Sequence, residues 1–411
     1  MKEMTSISAC RSCGSRALRP FLDMGKQPLA NAFLSSAAAE EKIYRLSLSF
    51  CAGCSLVQLN ETIDPKILFL KYPWVTGTSN AAREFSAVFA HEVLRRCGKE
   101  KANPFILEVA SNDGTFLLPF LKKGLRVLGV DPARNVAAVA KKNGVPTRAV
   151  FFGTNVARGI ARTHGLADVI IARNVLYHLA NLGDVMKGVA DVLDPAGLFA
   201  AEFHYGGRML KELHYDTVYH EHVCYYTLKS FAGLLARYGL HCFDIGWSPI
   251  NGGGLIVYAS KNARQKTARY ARLELWEKRG KINQLASWRM FAERVAAHKK
   301  DFFSRIDVLA RRDKRIVGYG ASARSSTLLN YCGIGKKMIA AVADANPFKQ
   351  GLFTAGTRIP ILRPDEVFKV LPDAVVLLAW NFRDEIKRII EKKYGFKGTL
   401  IMPLPRKSHV L

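Results

Sequence analysis

Ile106-Leu-Glu-Val-Ala-Ser-Asn-Asp-Gly-Thr-Phe-Leu117, followed by Val127-Leu-Gly-Val-Asp131, decides the fold of this chain. It reads as a buried strand, a tight turn of small residues, a helix, and a second strand ending on a carboxylate. That order is the opening half of a nucleotide-binding α/β unit, whose ligands lie beyond the carboxyl ends of the strands.

The turn is acidic. Glu108 and Asp113 would repel a pyrophosphate, which sets an NAD site or an empty turn as the alternatives rather than the reading. Carboxylates there suit a cofactor with a positive centre and an amino-acid tail. Asp131, at the tip of the second strand, can accept two hydrogen bonds from a ribose diol. S-adenosylmethionine (SAM) meets these requirements. Glu108, Ala110, Asn112 and Gly114 stand in the places of a Glu-x-Gly-x-Gly-x-Gly loop, with Ser111 between them. Asn112 replaces a glycine with a residue that tolerates left-handed backbone angles, whereas Ala110 is expected to crowd the cofactor slightly.

Working outward, Asp168-Val-Ile-Ile-Ala172 is a buried strand ending at Arg173-Asn-Val-Leu-Tyr-His178, and Leu198 to Phe203 is the next. The carboxyl-end rule gathers Asp131, Asn174, His178, Glu202 and His204 near one crevice. Asn174 joins the expected cofactor set on that ground. Residues 66–260 are therefore expected to form a Rossmann-like, class I SAM domain, with a helix over Ala81 to Cys97.

On its N-terminal side, residues 1–65 carry Cys10-Arg-Ser-Cys13 and Cys51-Ala-Gly-Cys54. Each C-x-x-C knuckle places two thiolates on one ion, and two knuckles complete a tetrahedral zinc site. Four protein ligands leave no open position, so the zinc is expected to be structural. On the C-terminal side, residues 261–313 form a charged helical bridge. Residues 314–411 start a second Rossmann-like α/β unit at Arg315-Ile-Val-Gly-Tyr-Gly-Ala-Ser-Ala-Arg-Ser-Ser326. Its Gly-x-Gly turn, with Tyr319, Ser322, Arg324, Ser325 and Ser326, offers amides, hydroxyls and a guanidinium at a helix N-terminus. That is a phosphate cradle.

Composition bounds the rest. A chain of 411 residues needs more than one core, and 49% hydrophobic residues can supply them. No leader-like or bilayer-spanning apolar run occurs, so a cytoplasmic protein without structural disulfides is expected. The net charge of +27 raises the odds of a polyanionic partner. Much of the excess falls in Asn262 to Arg315.

These pieces, in order, resemble a known family: SAM-dependent C-methyltransferases acting on nucleotide-linked 4-keto-deoxysugars. Cys10 to Gly14, Gln27-Pro-Leu-Ala-Asn31 and Cys51 to Leu59 resemble its zinc-binding domain. Glu108 to Thr115 resembles its SAM loop, and Tyr219-His-Glu-His-Val-Cys-Tyr-Tyr226 its catalytic segment. Gly318 to Asn330, Asp344 and Lys349-Gln-Gly351 resemble its nucleotide-sugar domain. The resemblance implies removal of the proton beside a ketone, then attack of the enolate carbon on the SAM methyl. His222 is the candidate base, with Glu221 and Tyr219 in support, His178 a second candidate, and Tyr72 similar to a substrate-loop tyrosine. A metal at His214, His220 and His222 is not expected: His220-x-His222 points two rings to one face, but no third ligand at a recognisable spacing completes the site. Arg324 stands where Lys is common and can still bind a diphosphate bidentately, whereas Asn251, where His is common in the family, leaves the sugar's identity and the methylated atom open.

Two further readings remain beside this one. One is methylation of oxygen or nitrogen on another sugar or natural-product acceptor. The other is a zinc-containing RNA-binding or RNA-modifying protein, which the lack of interleaved aromatics in a recognisable RNA module makes unlikely. Oligomeric state is left open, a monomer included.

Overall fold

The computed structural model describes residues 3–97, 103–250 and 253–404. At its centre is a seven-stranded sheet in the order His241–Ser248, Gly254–Ser260, Leu193–His204, Ala167–Arg173, Phe105–Val109, Arg126–Val130, Thr147–Arg148. The last five strands in that order run parallel, and the first two close one edge as an antiparallel hairpin. Phe105–Val109 and Ala167–Arg173 are buried along their whole length, as parallel strands covered on both faces must be. The chain winds one way from Phe105–Val109 to Thr147–Arg148, then crosses to Ala167–Arg173 on the other side. That reversal is the switch point where doubly wound sheets open a crevice.

The N-terminal module is an antiparallel sheet of Leu18–Pro28, Ile43–Cys51 and Val57–Leu59. Its fourth strand, Cys224–Tyr225, comes from the central domain, within the segment Tyr219 to Tyr226. The expected boundary at residue 65 is therefore bridged in space: the central domain lends a strand that covers an edge.

The C-terminal sheet has five parallel strands in the order Ile361–Leu362, Ala341–Ala343, Ile316–Tyr319, Ala374–Val376, Thr399–Ile401. Between the two α/β units lie the helices Ala268–Arg279 and Leu285–Ala310. The longer one touches all three parts. Trp288 is buried against Phe21 of the N-terminal sheet, with ring centroids 5.8 Å apart. Arg294 donates to the carbonyls of Leu210 and Lys211, and His298 Nε2–H donates to Pro403 O at 2.7 Å.

Two expected elements differ. The helix after the acidic turn shrinks to Leu118–Leu121, because Pro119 and a turn from Gly114 take up its start. The apolar run Ala374 to Trp380 reads in sequence as one strand, but the strand ends at Val376 and Trp380–Phe382 forms a single 3₁₀ turn. No helix among the described residues is long and apolar enough to cross a membrane.

Candidate active site

The four cysteines converge first. Sγ of Cys10 lies 3.6 Å from that of Cys54, and Sγ of Cys13 3.6 Å from that of Cys51. All four lie within 4.8 Å of one another, and none forms a disulfide. Thiolates about 2.3 Å from one zinc ion would stand ~3.8 Å apart, so the set fits a tetrahedral Zn²⁺. Arg11, inside the first knuckle, donates from its backbone N to Gln58 at 3.0 Å and from Nη2 to Glu61 O at 3.0 Å, which fastens the knuckle to the sheet. Among the described residues this is the only cluster suited to a metal. His220 points instead at Arg45 O (3.1 Å), and His214 stacks on His204.

A cavity of about 610 Å³ opens at the switch point. At one end lies the acidic loop. Ala110 and Asn112 take φ of 57° and 50°, so both replaced glycines do sit in left-handed conformations. For Ala110 this costs roughly 1–2 kcal/mol. Asn112 gains a use a glycine could not have. Its side chain accepts from Thr76 N at 2.9 Å and donates to Trp74 O at 3.0 Å. Asp113 accepts from Gly77 N at 2.8 Å. These two side chains hold the aromatic segment containing Tyr72 and Trp74 over the loop, rather than standing free for a ligand. Asp131 accepts from Asn112 N and Ala133 N, each at 2.8 Å, and keeps lone pairs for further donors. Glu108 is buried, and its Oε2 has no partner. Burial pushes its carboxyl up to about 8, partly opposed by Arg173. An orphaned buried carboxyl beside a carboxylate-tipped strand is a setting that a cationic amino-acid cofactor would complete.

Mid-cavity are the histidines. His222 Nδ1 is 2.9 Å from Thr217 O, and His178 Nδ1 is 2.8 Å from Glu221 O. A carbonyl only accepts, so each Nδ1 carries the proton. For His222, Nε2 is then the lone-pair atom. Burial drives His178 down to about 4 and His222 well below its ordinary value, the His178 and His204 rings adding to the effect on His222. Both are neutral bases at pH 7. The rings of Tyr219 and His222 meet at 3.9 Å with a tilt of 38°, and Tyr177 meets His222 edge-on at 4.6 Å. Tyr72 and Tyr219 are raised well above 10 by burial and then by the charge of Glu221, so both stay O–H donors. Asn174, with φ of 50°, donates to Glu202 and accepts from Tyr177.

The far wall is the C-terminal turn. Ser322, Arg324 and Lys349 line the cavity there. Lys349 Nζ donates to Ala321 O at 2.5 Å and sits 3.4 Å from Asp344, which itself accepts from Ala321 N and Asn346 N. Two residues expected here are placed otherwise. Tyr319 packs near Phe368 in the C-terminal core, because its strand alternation turns it away from the cavity. Ser325 is buried, and its hydroxyl closes a capping box with Ser322, the normal use of a serine three residues into a helix. Asn251 lies outside the described residues.

Arg324 is also engaged. It grips Asp216 bidentately, at 2.8 and 3.0 Å, and lies over the Trp380 ring at 4.4 Å. Trp380 Nε1–H donates to the same carboxylate at 2.8 Å. Asp216 is 1% exposed, so losing its guanidinium leaves a buried charge. Arg324→Ala is expected to destabilise by about 2 kcal/mol, below the ~3–5 of a fully buried pair, because the cavity wets one side. Asp216→Asn in the same chain should restore most of it in denaturant melts. A double variant no more stable than Arg324→Ala would show the pair to be energetically idle.

With this geometry in view, comparison with known proteins is informative. The sequence matches family models for a zinc binding domain over residues 10–69, a methyltransferase domain over 81–244 and a C-methyltransferase C-terminal domain over 249–405. It is 33% identical over 406 residues to C-methyltransferase NovU of Streptomyces niveus, covering 97% of this chain and 96% of that protein. The chain belongs to the SAM-dependent C-methyltransferase family. Among solved structures, it is similar to a Burkholderia thailandensis 1,6-didemethyltoxoflavin-N1-methyltransferase with bound S-adenosylhomocysteine. That match has 20% identity, covers 46% of this chain and 81% of the other, and has a TM-score of 0.34. The CcbJ methyltransferase of Streptomyces caelestis matches 46% of this chain and 94% of its own, at 12% identity and a TM-score of 0.34.

Several lining residues carried no sequence signal. Asn31 and Phe33 reach the cavity from the zinc module, and Phe69, Tyr177 and Asn381 from three separate short helical turns. Only the tertiary fold assembles them.

Proposed function

We propose that this methyltransferase places a methyl group on the carbon beside the ketone of a nucleoside-diphosphate 4-keto-deoxysugar. The reading rests on one observation: a single cavity runs from the acidic loop, past two neutral histidines, to Ser322, Arg324 and Lys349. A donor site and a phosphate cradle thus share one space, with a base between them.

SAM, when bound, supplies the electrophilic methyl and departs as S-adenosylhomocysteine. Asp131 takes the ribose diol, and the loop from Glu108 through Ala110, Ser111, Asn112 to Gly114, with Asn174, holds the amino-acid end. His222 Nε2 takes the proton from the sugar carbon. Tyr219 and Tyr72 donate O–H bonds to the oxygen on which charge develops, where a preorganised donor acts most strongly. His178 fixes the backbone of Glu221 and stands as the alternative base. Ser322 and Lys349 meet the diphosphate, Asp344 shapes the turn that presents them, and Arg324 exchanges part of its hold on Asp216 for phosphate. Product NMR after incubation with SAM and thymidine-diphosphate keto sugars tests the reading. A methyl on a ring carbon is expected. A methyl on oxygen or nitrogen would replace it.

Glu108 makes SAM binding pH-dependent. Free, its carboxyl titrates near 8 and is mostly protonated at pH 7. Beside a bound cation it ionises, so binding releases a proton. SAM affinity should rise with pH up to about 8 and then level off. Calorimetry in buffers of different ionisation enthalpy should detect proton release near pH 7, and Glu108→Gln should abolish it. Unchanged release in that variant would remove Glu108 from the cofactor site.

A further inference from the structure

The zinc module does more than cap the molecule. Asn31 follows its strand Leu18–Pro28, and its Nδ2 donates to Glu221 Oε1 at 2.6 Å across 190 residues of sequence. Asn31 and Phe33 both line the cavity. The segment is held from the other side as well. Leu34 pairs with Phe353 of the C-terminal domain, and Lys349 Nζ lies 5.5 Å over the Phe33 ring. Residues 31–34 therefore form a strap, with one end on the catalytic segment and the other on the phosphate-facing lysine.

We propose that Asn31 is a positioning residue of the active site, holding the Glu221 carboxylate ionised and aimed, so that the metal-built module takes part in the reaction rather than only in folding. The proposal rests on the reading of Glu221 as part of the catalytic segment. Glu221 is buried, and Asn31 provides the one side-chain hydrogen bond that opposes the cost of its charge. Burial lifts its carboxyl to about 7 even so. The groups facing it are Tyr72, Tyr177 and Tyr219, all made harder to ionise by its charge, and His178, which donates to its carbonyl. His222 follows it in the chain, one step further along the cavity wall. Among the described residues no cation is paired with Glu221, so a neutral amide donor decides its state. A charged donor would hold the carboxylate more strongly, but would also compete with Lys349 and Arg324 for the substrate's phosphates.

The test has two arms. In the first, the enzyme carries ¹³C-carboxyl glutamate, with the Glu221 resonance assigned from Glu221→Gln, and is titrated by NMR without substrate. Asn31→Leu, similar in size but without a donor, should move the Glu221 midpoint up by about one pH unit, a tenfold change in its ionisation constant. Asn31→Asp, the same shape with a second carboxyl, should move it further, because two carboxyls at that distance share a proton. In the second arm, the acid limb of the kcat profile should move upward in parallel, with zinc content and SAM affinity unchanged. An unmoved midpoint in both variants would overturn the proposal. A midpoint that moves while the kcat profile stays fixed would also overturn it, leaving Asn31 a structural contact. Loss of zinc from Asn31→Leu would hand the decision to Asn31→Asp. If keto sugars prove not to be substrates, the NMR arm still decides whether Asn31 controls Glu221.

Discussion

Stripping the metal from the four-cysteine site, or replacing Cys51 by Ser, should unfold the N-terminal sheet and abolish methyl transfer. The cluster at Cys10, Cys13, Cys51 and Cys54 joins the turn before Leu18–Pro28 to the turn between Ile43–Cys51 and Val57–Leu59. Structural zinc in small modules contributes about 10–16 kcal/mol of apparent binding energy at neutral pH, far more than a sheet of this size recovers by burial. The consequences should spread. The central domain's strand Cys224–Tyr225 pairs with Val57–Leu59, and Val223 O accepts from Leu59 N at 3.0 Å. Losing the module therefore frees the chain directly after His222. Metal analysis should find one zinc per chain, and a chelator should lower both melting temperature and activity together. Zinc-free protein that melts and turns over like the native enzyme would contradict this.

His222→Ala is expected to lower kcat by about 10² to 10⁴-fold, the usual contribution of a positioned general base. SAM affinity should change little, because His222 packs on the rings of Tyr219, Tyr177 and His178, none of which belongs to the acidic loop. His222→Gln should not rescue, since an amide keeps the shape but has no basic lone pair. The titration of His222 itself should shape the rate only in the acid range, because the ring is already neutral at pH 7, and a limb near pH 7 belongs to Glu221. A His222→Ala enzyme with native kcat would place the base elsewhere, His178 being the next candidate.

How much of this was legible in the sequence follows from distance along the chain. Glu108 to Asp131 is local: strand, turn, strand and terminal carboxylate lie within one α/β unit, and periodicity with turn chemistry suffices. The two C-x-x-C knuckles needed only spacing. The capping use of Ser325 was also local, and a Ser-x-x-Ser pattern at a helix start could have indicated it. Tyr319 misleads because a Gly-x-Gly turn shows where the backbone bends, not which face the residue between the glycines presents. The Arg324–Asp216 pair spans 108 residues and the Asn31–Glu221 contact 190, across parts that meet only when separate domains pack. No local pattern encodes them. Asn112 and Asp113 lay in plain sight, but their tie to Thr76 and Gly77 depends on where the loop over the cavity comes to rest.

The central claim is that a base in the Tyr219–His222 segment forms an enolate before the methyl moves. Incubating the wild-type enzyme with a thymidine-diphosphate 4-keto-deoxysugar and S-adenosylhomocysteine in D₂O isolates that step, since no methyl can be transferred. Deuterium should enter at the carbon beside the ketone in the wild type and fail to enter in His222→Ala. No exchange in the wild type, with methyl found on oxygen or nitrogen when SAM is supplied, would contradict the account.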